Sequence, residues 1–189
     1  MKLLLTLVSF GAVLLAGCSS SNLAYQPRTE PESREFQRDS LDVYPADVRN
    51  DPARFDGKAV AWAGIIRQSK AQDLDDGSIH LVTTFEHHYF DWQQNGGGHG
   101  AHFSLSPRGE GAFQTDWVLR KINPDAGATD AEQYAAPGKL AIVYGVTEGV
   151  NDNGEVKLKY RYLRVIDADK YTTGEFDYGR FGEPVVYLK

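Results

Sequence analysis

Residues 140–166 have the sequence LAIVYGVTEGVNDNGEVKLKYRYLRVI, which is the clearest structural signal in the chain. An apolar segment from Leu140 to Thr147 is followed by the sequence Asn-Asp-Asn-Gly at 151–154 and by a long alternating segment from Val156 to Ile166. Because Asn and Gly tolerate the positive φ angles of tight turns, two such segments around this sequence predict a β-hairpin.

The second strand of this hairpin is two-sided. One face is apolar or aromatic and consists of Val156, Leu158, Tyr160 and Tyr162. The other face is basic and consists of Lys157, Lys159 and Arg161. The alternation changes face near Leu163 and Val165. Such a change predicts either a β-bulge or a segment that is buried on both faces.

Three earlier segments also alternate and are bounded by turn residues. They are Lys58 to Gln68, Ser78 to Phe85 and Ala101 to Ser106. In the first, Gly64 interrupts the side-chain pattern, and a glycine at such a point predicts a bulge or a sharp bend of the kind that closes small barrels. Together with the hairpin these segments predict five strands.

Short helices are expected at three places. Ala46 to Phe55 predicts a helix interrupted at Asp51-Pro52, and Phe113 to Ile122 and Thr129 to Ala136 are two further candidates before the hairpin. Five strands with a helix before the fourth and a closing hairpin follow the element order of an OB-fold barrel. We therefore predict a mainly β fold, a five-stranded OB-like barrel with one or two short helices.

The chain begins with a secretory signal. One basic residue, Lys2, precedes an apolar run from Leu3 to Leu15, and Leu15-Ala16-Gly17-Cys18 places the single cysteine behind small residues. This pattern resembles a bacterial lipoprotein signal peptide over residues 1–17. The resemblance implies that Cys18 becomes the acylated first residue, and Ser19-Ser20 after it implies transport to the outer membrane. The alternative is an ordinary secretory signal whose mature protein keeps a free cysteine.

Composition limits the chemistry of the mature chain. Removal of the signal takes away one basic and no acidic residue, so the formal net charge moves from −6 to −7. If Cys18 is acylated no thiol remains, which excludes a disulfide framework, a cysteine nucleophile and a cysteine-based zinc site.

The domain boundaries can be predicted from the same composition. Residues 18–43 are polar, with Pro27 and Pro31, and predict a flexible tether that holds the domain about 25 to 30 Å from the lipid. A partner-binding segment is the alternative. The domain is expected over 44–171, with a C-terminal tail over 172–189.

Some of these segments resemble a known family. The stretch from Asp51 through Ala53-Arg54-Phe55-Asp56-Gly57-Lys58 into the first predicted strand is similar to the opening of the Slp family of starvation-inducible outer-membrane lipoproteins. Val143-Tyr144-Gly145 and Tyr160-Arg161-Tyr162-Leu163 resemble the later barrel strands of that family. The resemblance implies an outer-membrane protein, lipid-anchored and facing the periplasm, with an OB-like domain and no established enzymatic chemistry.

All five histidines lie in the middle of the chain. They are His80, His87, His88, His99 and His102, with a Gly-rich segment at 96–98 between them. Imidazole binds zinc, copper and nickel, so His87 or His88 could join His99 and His102 in a metal site. Adjacent strand residues point to opposite faces, so at most one of the first two can take part. The competing interpretation is a polar surface hairpin tip.

No catalytic motif is found, and we expect no enzyme and no resident cofactor. We also expect no nucleic-acid partner, because the net charge is negative and the tyrosines of 156–166 should face away from the lysines. The favoured interpretation is a non-catalytic outer-membrane lipoprotein that serves envelope structure or binds a periplasmic protein or small ligand, with Tyr89, Phe90 and Trp92 as exposed contacts. A periplasmic metal-binding protein is the alternative.

Overall fold

The computed structural model describes residues 25–93, 95, 101–120 and 125–174. The helices within these residues are α1 (Glu30–Arg38), α2 (Pro45–Asn50), α3 (Pro52–Phe55) and α4 (Ala128–Tyr134), with a 3-10 turn at Ala168–Lys170. The strands are β1 (Ala59–Asp73), β2 (Ile79–His88), β3 (Phe103–Leu105), β4 (Ala112–Leu119), β5 (Leu140–Val150), β6 (Val156–Ile166) and β7 (Tyr171–Thr173).

Five of these strands close a barrel in the order β1-β2-β4-β6-β5. Neighbours are antiparallel except β4 and β6, which run parallel, and β5 closes the barrel by pairing with β1. Counted along the chain, the barrel strands therefore follow the order 1-2-3-5-4, with α4 between the third and the fourth. This is the Greek-key arrangement of an OB fold, and the predicted fold class is confirmed.

The third barrel strand is not the predicted one. Ala101 to Ser106 forms the short β3, which pairs with β7 outside the barrel. Phe113 to Ile122, predicted as a helix, instead contains most of strand β4, which pairs with β2 over eight residues. The helix prediction was wrong because Phe113, Thr115 and Trp117 are all buried, which is the period of two of a strand. Phe113 stacks on Phe85 with ring centroids 4.8 Å apart.

The interior of the barrel forms one apolar core. Its largest members are Trp62, Phe85, Phe113, Leu81, Ile66 and Leu158, all less than 2% exposed. Gly64 lies against this core, and a Cβ atom there would come within 2.8 to 2.9 Å of Phe113 and Phe85. The glycine predicted to mark a bend therefore serves a close approach between β1 and the aromatic stack, while the register shift of β1 lies two residues later, between Ile66 and Gln68.

The β5–β6 hairpin confirms its prediction. Strand β6 has the predicted bounds, and its register against β5 shifts between Tyr144 and Gly145, which face Tyr162 and Tyr160. Arg161 is thus the extra residue of a β-bulge. Because the bulge turns the second half of β6, that half presents Tyr162 and Arg164 to a second apolar layer outside the barrel.

Residues 25–43 do not form a flexible tether. They contain α1, and Ser40 pairs with Val60 of β1 in an isolated bridge. Tyr25 is 3% exposed and belongs to the second apolar layer, to which Phe36 and Leu41 add partly buried side chains. We call residues 25–43 the strap. The tether prediction failed here because the few apolar residues of the strap are widely spaced and match no regular period, although they pack on the barrel.

At the other end, the fold continues slightly past the predicted domain boundary at 171. Strand β7 pairs in parallel with β3, matching Phe103 with Tyr171 and Leu105 with Thr173. The first residues of the predicted tail, 172–174, are therefore part of the domain, and residues 175–189 lie outside the described part of the chain.

Candidate functional site

The barrel has two unlike outer faces. One face is covered by the strap, β3 and residues 90–92. The other face is formed by the second half of β1, by β2, by β4 and by the first half of β6. No element among the described residues covers it. We call the second one the open face. By strand alternation it consists of Gln68, Lys70, Gln72, His80, Val82, Thr84, Glu86, Gln114, Asp116, Val118, Lys157 and Lys159.

The register aligns these side chains in rows across four strands. Lys70 pairs with Val82, Val82 with Asp116, and Asp116 with Lys159. The next row runs from Gln68 through Thr84 and Gln114 to Lys157 in the same way. Since neighbouring strands lie about 4.8 Å apart, each row crosses roughly 14 Å of surface.

The carboxylates of the open face are already engaged. Glu86 forms an ion pair with Arg67 at the edge of the face, and Asp116 Oδ1 lies 2.5 Å from His80 Nε2. Lys70, Lys157 and Lys159 form no ion pair with any described residue. The face therefore has an excess of positive charge although the chain has a formal net charge of −6.

The open face contains no described aromatic side chain. On β4, Phe113 and Trp117 point inward, and the most exposed apolar side chain of the face is Val118, at 56%. Proteins that grip single strands by base stacking use aromatic platforms. The face is thus suited to charge recognition and to hydrogen bonding by its amides and hydroxyls.

The covered face differs in its polar groups, which are buried. Glu32 of α1 is fully buried and accepts hydrogen bonds from Tyr25 Oη and from the backbone nitrogen of Arg28 at 2.7 Å. Arg164 of β6 lies 3.6 Å from Glu32 Oε1 and donates to Tyr25 Oη at 2.9 Å. Burial, followed by the Glu32 charge, raises the pKa of Tyr25 well above its usual value, so this phenol stays protonated.

A second ion cluster joins the strap to the bulge. Arg161, the bulge residue, forms ion pairs with Glu35 and with Asp39, the latter at 2.9 Å. The Asp39 side chain is fully shielded from solvent and Glu35 is mostly buried. Charges at this depth are costly without partners, so the two clusters align the strap on the barrel.

His87 and His88 point to opposite faces, as predicted. His87 is 1% exposed at one end of the barrel interior, where its ring lies 5.3 Å from Tyr89 and 6.3 Å from Trp62. The backbone nitrogen of Glu110 donates to His87 Nδ1 at 3.2 Å. Burial, with smaller effects of His88 and Arg49, lowers the pKa of His87 to about 3, so the ring is neutral.

The remaining histidines are dispersed. His88 is buried and donates from Nδ1 to the Ser106 carbonyl oxygen at 2.7 Å, and His102 is exposed. His80 lies on the open face, and His99 is outside the described residues. Among residues 25–93, 95, 101–120 and 125–174, no three His, Cys, Asp or Glu side chains are grouped to hold a metal ion. The predicted site of His87 or His88 with His102 is not assembled within that part of the chain.

The aromatic contact prediction is wrong for Phe90. Phe90 is 4% exposed and packs in the second apolar layer against Phe103 and Tyr25, because residues 90–92 cross the covered face. Trp92 is half-buried in the same layer, 5.3 Å from the ring of Tyr25. Tyr89 is half-buried and donates from Oη to Glu110 Oε1. A partner contact by Tyr89 or Trp92 remains a prediction.

The lipid anchor lies outside the part of the chain that the structure describes. Cys18 is not among the described residues, so its acylation remains a prediction. No described helix has the length and hydropathy needed to span a bilayer.

The open face was missed by the sequence interpretation. Of the open-face residues, the sequence analysis assigns only Lys157 and Lys159 to a basic strand face, together with Arg161. The alternation of His80, Val82 and Thr84 was visible in the sequence. The facing residues of β4, however, were assigned to a helix, so the rows across the sheet could not be recognised.

Comparisons with known proteins find structural likeness only. No protein-family model matches the chain, and no curated protein matches it. Among solved structures, the protein PriB from Ralstonia solanacearum is 7% identical, with 57% of this chain and 96% of that chain covered and a TM-score of 0.33. A small single-stranded DNA-binding protein from Streptomyces coelicolor is 15% identical, with 58% and 93% covered and a TM-score of 0.33.

A third similar structure is a lipoprotein from Klebsiella pneumoniae described as nucleic acid-binding, at 15% identity, with 66% of this chain and 90% of that chain covered and a TM-score of 0.33. Two of these similar chains are described as binding DNA or nucleic acid. The expectation that this chain has no nucleic-acid partner is corrected, because its physical basis was faulty. The net charge of the whole chain does not describe the open face, where three lysines form no ion pair with a described residue.

Proposed function

We propose that this protein is a non-catalytic lipoprotein, anchored through Cys18, that binds a phosphate-bearing polyanion on its open face. The observation that carries the proposal is the set of three lysines, Lys70, Lys157 and Lys159, that lie on one sheet face of an acidic protein without an ion-pair partner among the described residues. Lysine acts on phosphate as a point charge, and the neighbouring side-chain amides and hydroxyls can donate hydrogen bonds to the phosphate oxygens.

The cellular part of the proposal comes from the sequence. The signal over 1–17, the small residues before Cys18 and the two serines after it support an anchor in the outer membrane with the domain in the periplasm. The resemblance of 51–66 to the Slp family supports the same location. We propose a protein of the Slp type on these grounds.

The test is binding by the full-length, detergent-solubilised protein to two probes, a single-stranded oligodeoxythymidine of about 20 nucleotides and long-chain inorganic polyphosphate. Each lysine that neutralises a nucleotide phosphate contributes about −0.7 to the slope of log K against log salt. Three lysines thus predict a slope of roughly −2 for the oligonucleotide. Binding of both probes would identify recognition of backbone charge, and binding of DNA alone would show that bases also contribute.

The decisive variant replaces Lys70, Lys157 and Lys159 by alanine. It should lose most of the salt dependence and at least about tenfold in affinity at about 50 mM salt. A charge-matched control replaces Arg34, Arg54 and Lys58, which lie outside the open face. Equal losses in the two variants would mean that only net charge matters. Absence of binding to either probe at that salt concentration would refute the polyanion proposal.

A further inference from the structure

The packed strap shortens the connection between the lipid and the domain. A tether over residues 18–43 would place the whole of that segment between membrane and barrel, but Tyr25 is already buried on the covered face. Its backbone nitrogen donates to the Trp92 carbonyl oxygen at 2.8 Å, and its ring packs against Phe36 and Phe90. Seven residue steps therefore separate Cys18 from Tyr25, and a chain of that length spans at most about 24 Å when fully extended.

The attachment point lies opposite to the open face. Tyr25 contacts Arg164 of β6 and neighbours Tyr144 of β5, and in the barrel order β5 is the strand across from β2 and β4. A domain of about 150 residues has a radius of gyration of about 15 Å. The path over the surface of a sphere of that size, from one side to the opposite side, is roughly 60 Å. A connection of about 24 Å cannot pass around the barrel to the open face.

We infer that the lipid anchor holds the covered face toward the bilayer, so that the open face is directed away from the membrane that carries the protein. This inference rests on the acylation of Cys18 in the proposed function. It makes the strap an orienting element, and it means that a ligand of the open face must come from the compartment or from an opposing surface. The headgroups of the protein's own membrane are out of its reach.

The test uses full-length lipidated protein in vesicles whose lipid headgroups carry a fluorescence quencher. Since an acylated Cys18 has no free thiol, single cysteines can be labelled with a fluorophore at Gln37→Cys on α1 or at Gln68→Cys on the open face. Both residues are exposed glutamines, so the variants are matched. We expect quenching at position 37 to be at least about threefold greater than at position 68.

A second pair of variants tests the length of the connection itself. Inserting about twenty Gly/Ser residues after Asn22 lengthens the connection to about 90 Å at full extension. This exceeds the surface path from the covered face to the open face. The insertion should bring the two quenching values toward equality. Equal quenching with the native spacing, or stronger quenching at position 68, would overturn the inference. Absence of the acyl mass on Cys18 by mass spectrometry would instead refute the anchor itself, and the inference with it.

Discussion

The two outer faces of this barrel belong to one sheet and are opposite in character. On the covered face, residues of β5 such as Ile142 and Tyr144 are fully buried, and the charged Arg164 of β6 has a protein partner. On the open face, Lys159 and Val118 meet solvent. The difference teaches that the strap has turned one sheet surface into core, which leaves the other surface as the available contact area.

The largest effect should follow removal of the strap. A protein beginning at Tyr44 would expose the second apolar layer and lose the burial of Tyr25, Phe36 and Leu41, worth about 1.5 to 3 kcal/mol for each fully buried side chain. Together with the orphaned Arg164, this predicts at least about 5 kcal/mol of lost stability, a large part of the total for a domain of this size. Soluble yield and urea unfolding will measure it.

A protein beginning at Tyr25 is the control for that truncation, and it should unfold at the same urea concentration as the full mature chain. If the protein beginning at Tyr44 also unfolds at that concentration, residues 25–43 are a tether after all. In that case the distinction between the two faces would fail, and with it the short connection to the lipid.

Breaking the buried ion pair should be the next largest effect. Arg164→Ala leaves the buried Glu32 carboxylate without its guanidinium partner, and loss of one member of a buried pair costs about 3 to 5 kcal/mol. The measurement is the free energy of unfolding in urea. Lys159→Ala on the open face of the same strand is the control and should change stability by less than about 0.5 kcal/mol.

The paired replacement sharpens that prediction. Two Arg164 nitrogens, Nε and Nη2, have no hydrogen-bond partner among the described residues, so the pair is not optimally satisfied. Glu32→Gln combined with Arg164→Met should therefore recover at least half of the loss, because no uncompensated buried charge remains. A double variant as unstable as Arg164→Ala alone would show that the guanidinium itself, packed 5.2 Å from the ring of Tyr25, supplies the stability.

The sequence patterns predict the residues of the barrel interior, but they do not predict the packing of the strap on the covered face. The interior core was accessible because Val60, Trp62 and Ile66 repeat at a period of two, and the β5–β6 hairpin had a strong turn signal. The strap was not accessible, because Tyr25, Phe36 and Leu41 are spaced without a period and their burial depends on tertiary contacts with a distant part of the chain. Local patterns cannot reveal such packing.

The prediction for the segment that forms strand β4 was wrong for a different reason. The segment from Ala112 to Leu119 alternates between buried and more exposed residues, but its sequence contains no glycine or proline that argues against the predicted helix over Phe113 to Ile122. Pairing with β2 decides the structure, since it stacks Phe113 on Phe85. The open face depends on this pairing and was missed together with it, although each of its strands had visible alternation.

Strand β2 allows a third test, since it places one histidine in the interior and one on the open face. The pKa of His87 is lowered to about 3 in the folded state, so between about pH 6.5 and 3 the unfolded state binds a proton at this residue and the folded state does not. The free energy of unfolding is therefore unaffected by the titration of His87 above about pH 6.5 and decreases as the pH falls toward 3. At about pH 4.5 the loss should be roughly 2 to 3 kcal/mol, since each pH unit in this range contributes about 1.4 kcal/mol.

The measurement is urea unfolding from about pH 7.5 to about pH 4.5, compared with His87→Asn, whose side-chain oxygen can accept the hydrogen bond from Glu110. The variant should be less stable at neutral pH but should lose less stability on acidification. His80→Asn, at the other end of the strand and partly exposed, should follow the wild-type pH dependence more closely than His87→Asn. Identical pH dependence in wild type and His87→Asn would mean that His87 is protonated in the folded state.

The smallest effect is expected at the apolar side chain of the open face. Val118 is 56% exposed, so Val118→Ala removes little buried surface and should change the free energy of unfolding by less than about 0.5 kcal/mol. Val143→Ala on β5, where the side chain is fully buried, makes the same chemical change and should cost roughly 2 kcal/mol from the lost apolar burial and the cavity that remains. Equal costs at the two positions would mean that Val118 is covered in solution, as self-association through the open face would require. A small cost at Val118 leaves the face free to vary in sequence without loss of the fold, which is the condition for a surface selected by its ligand.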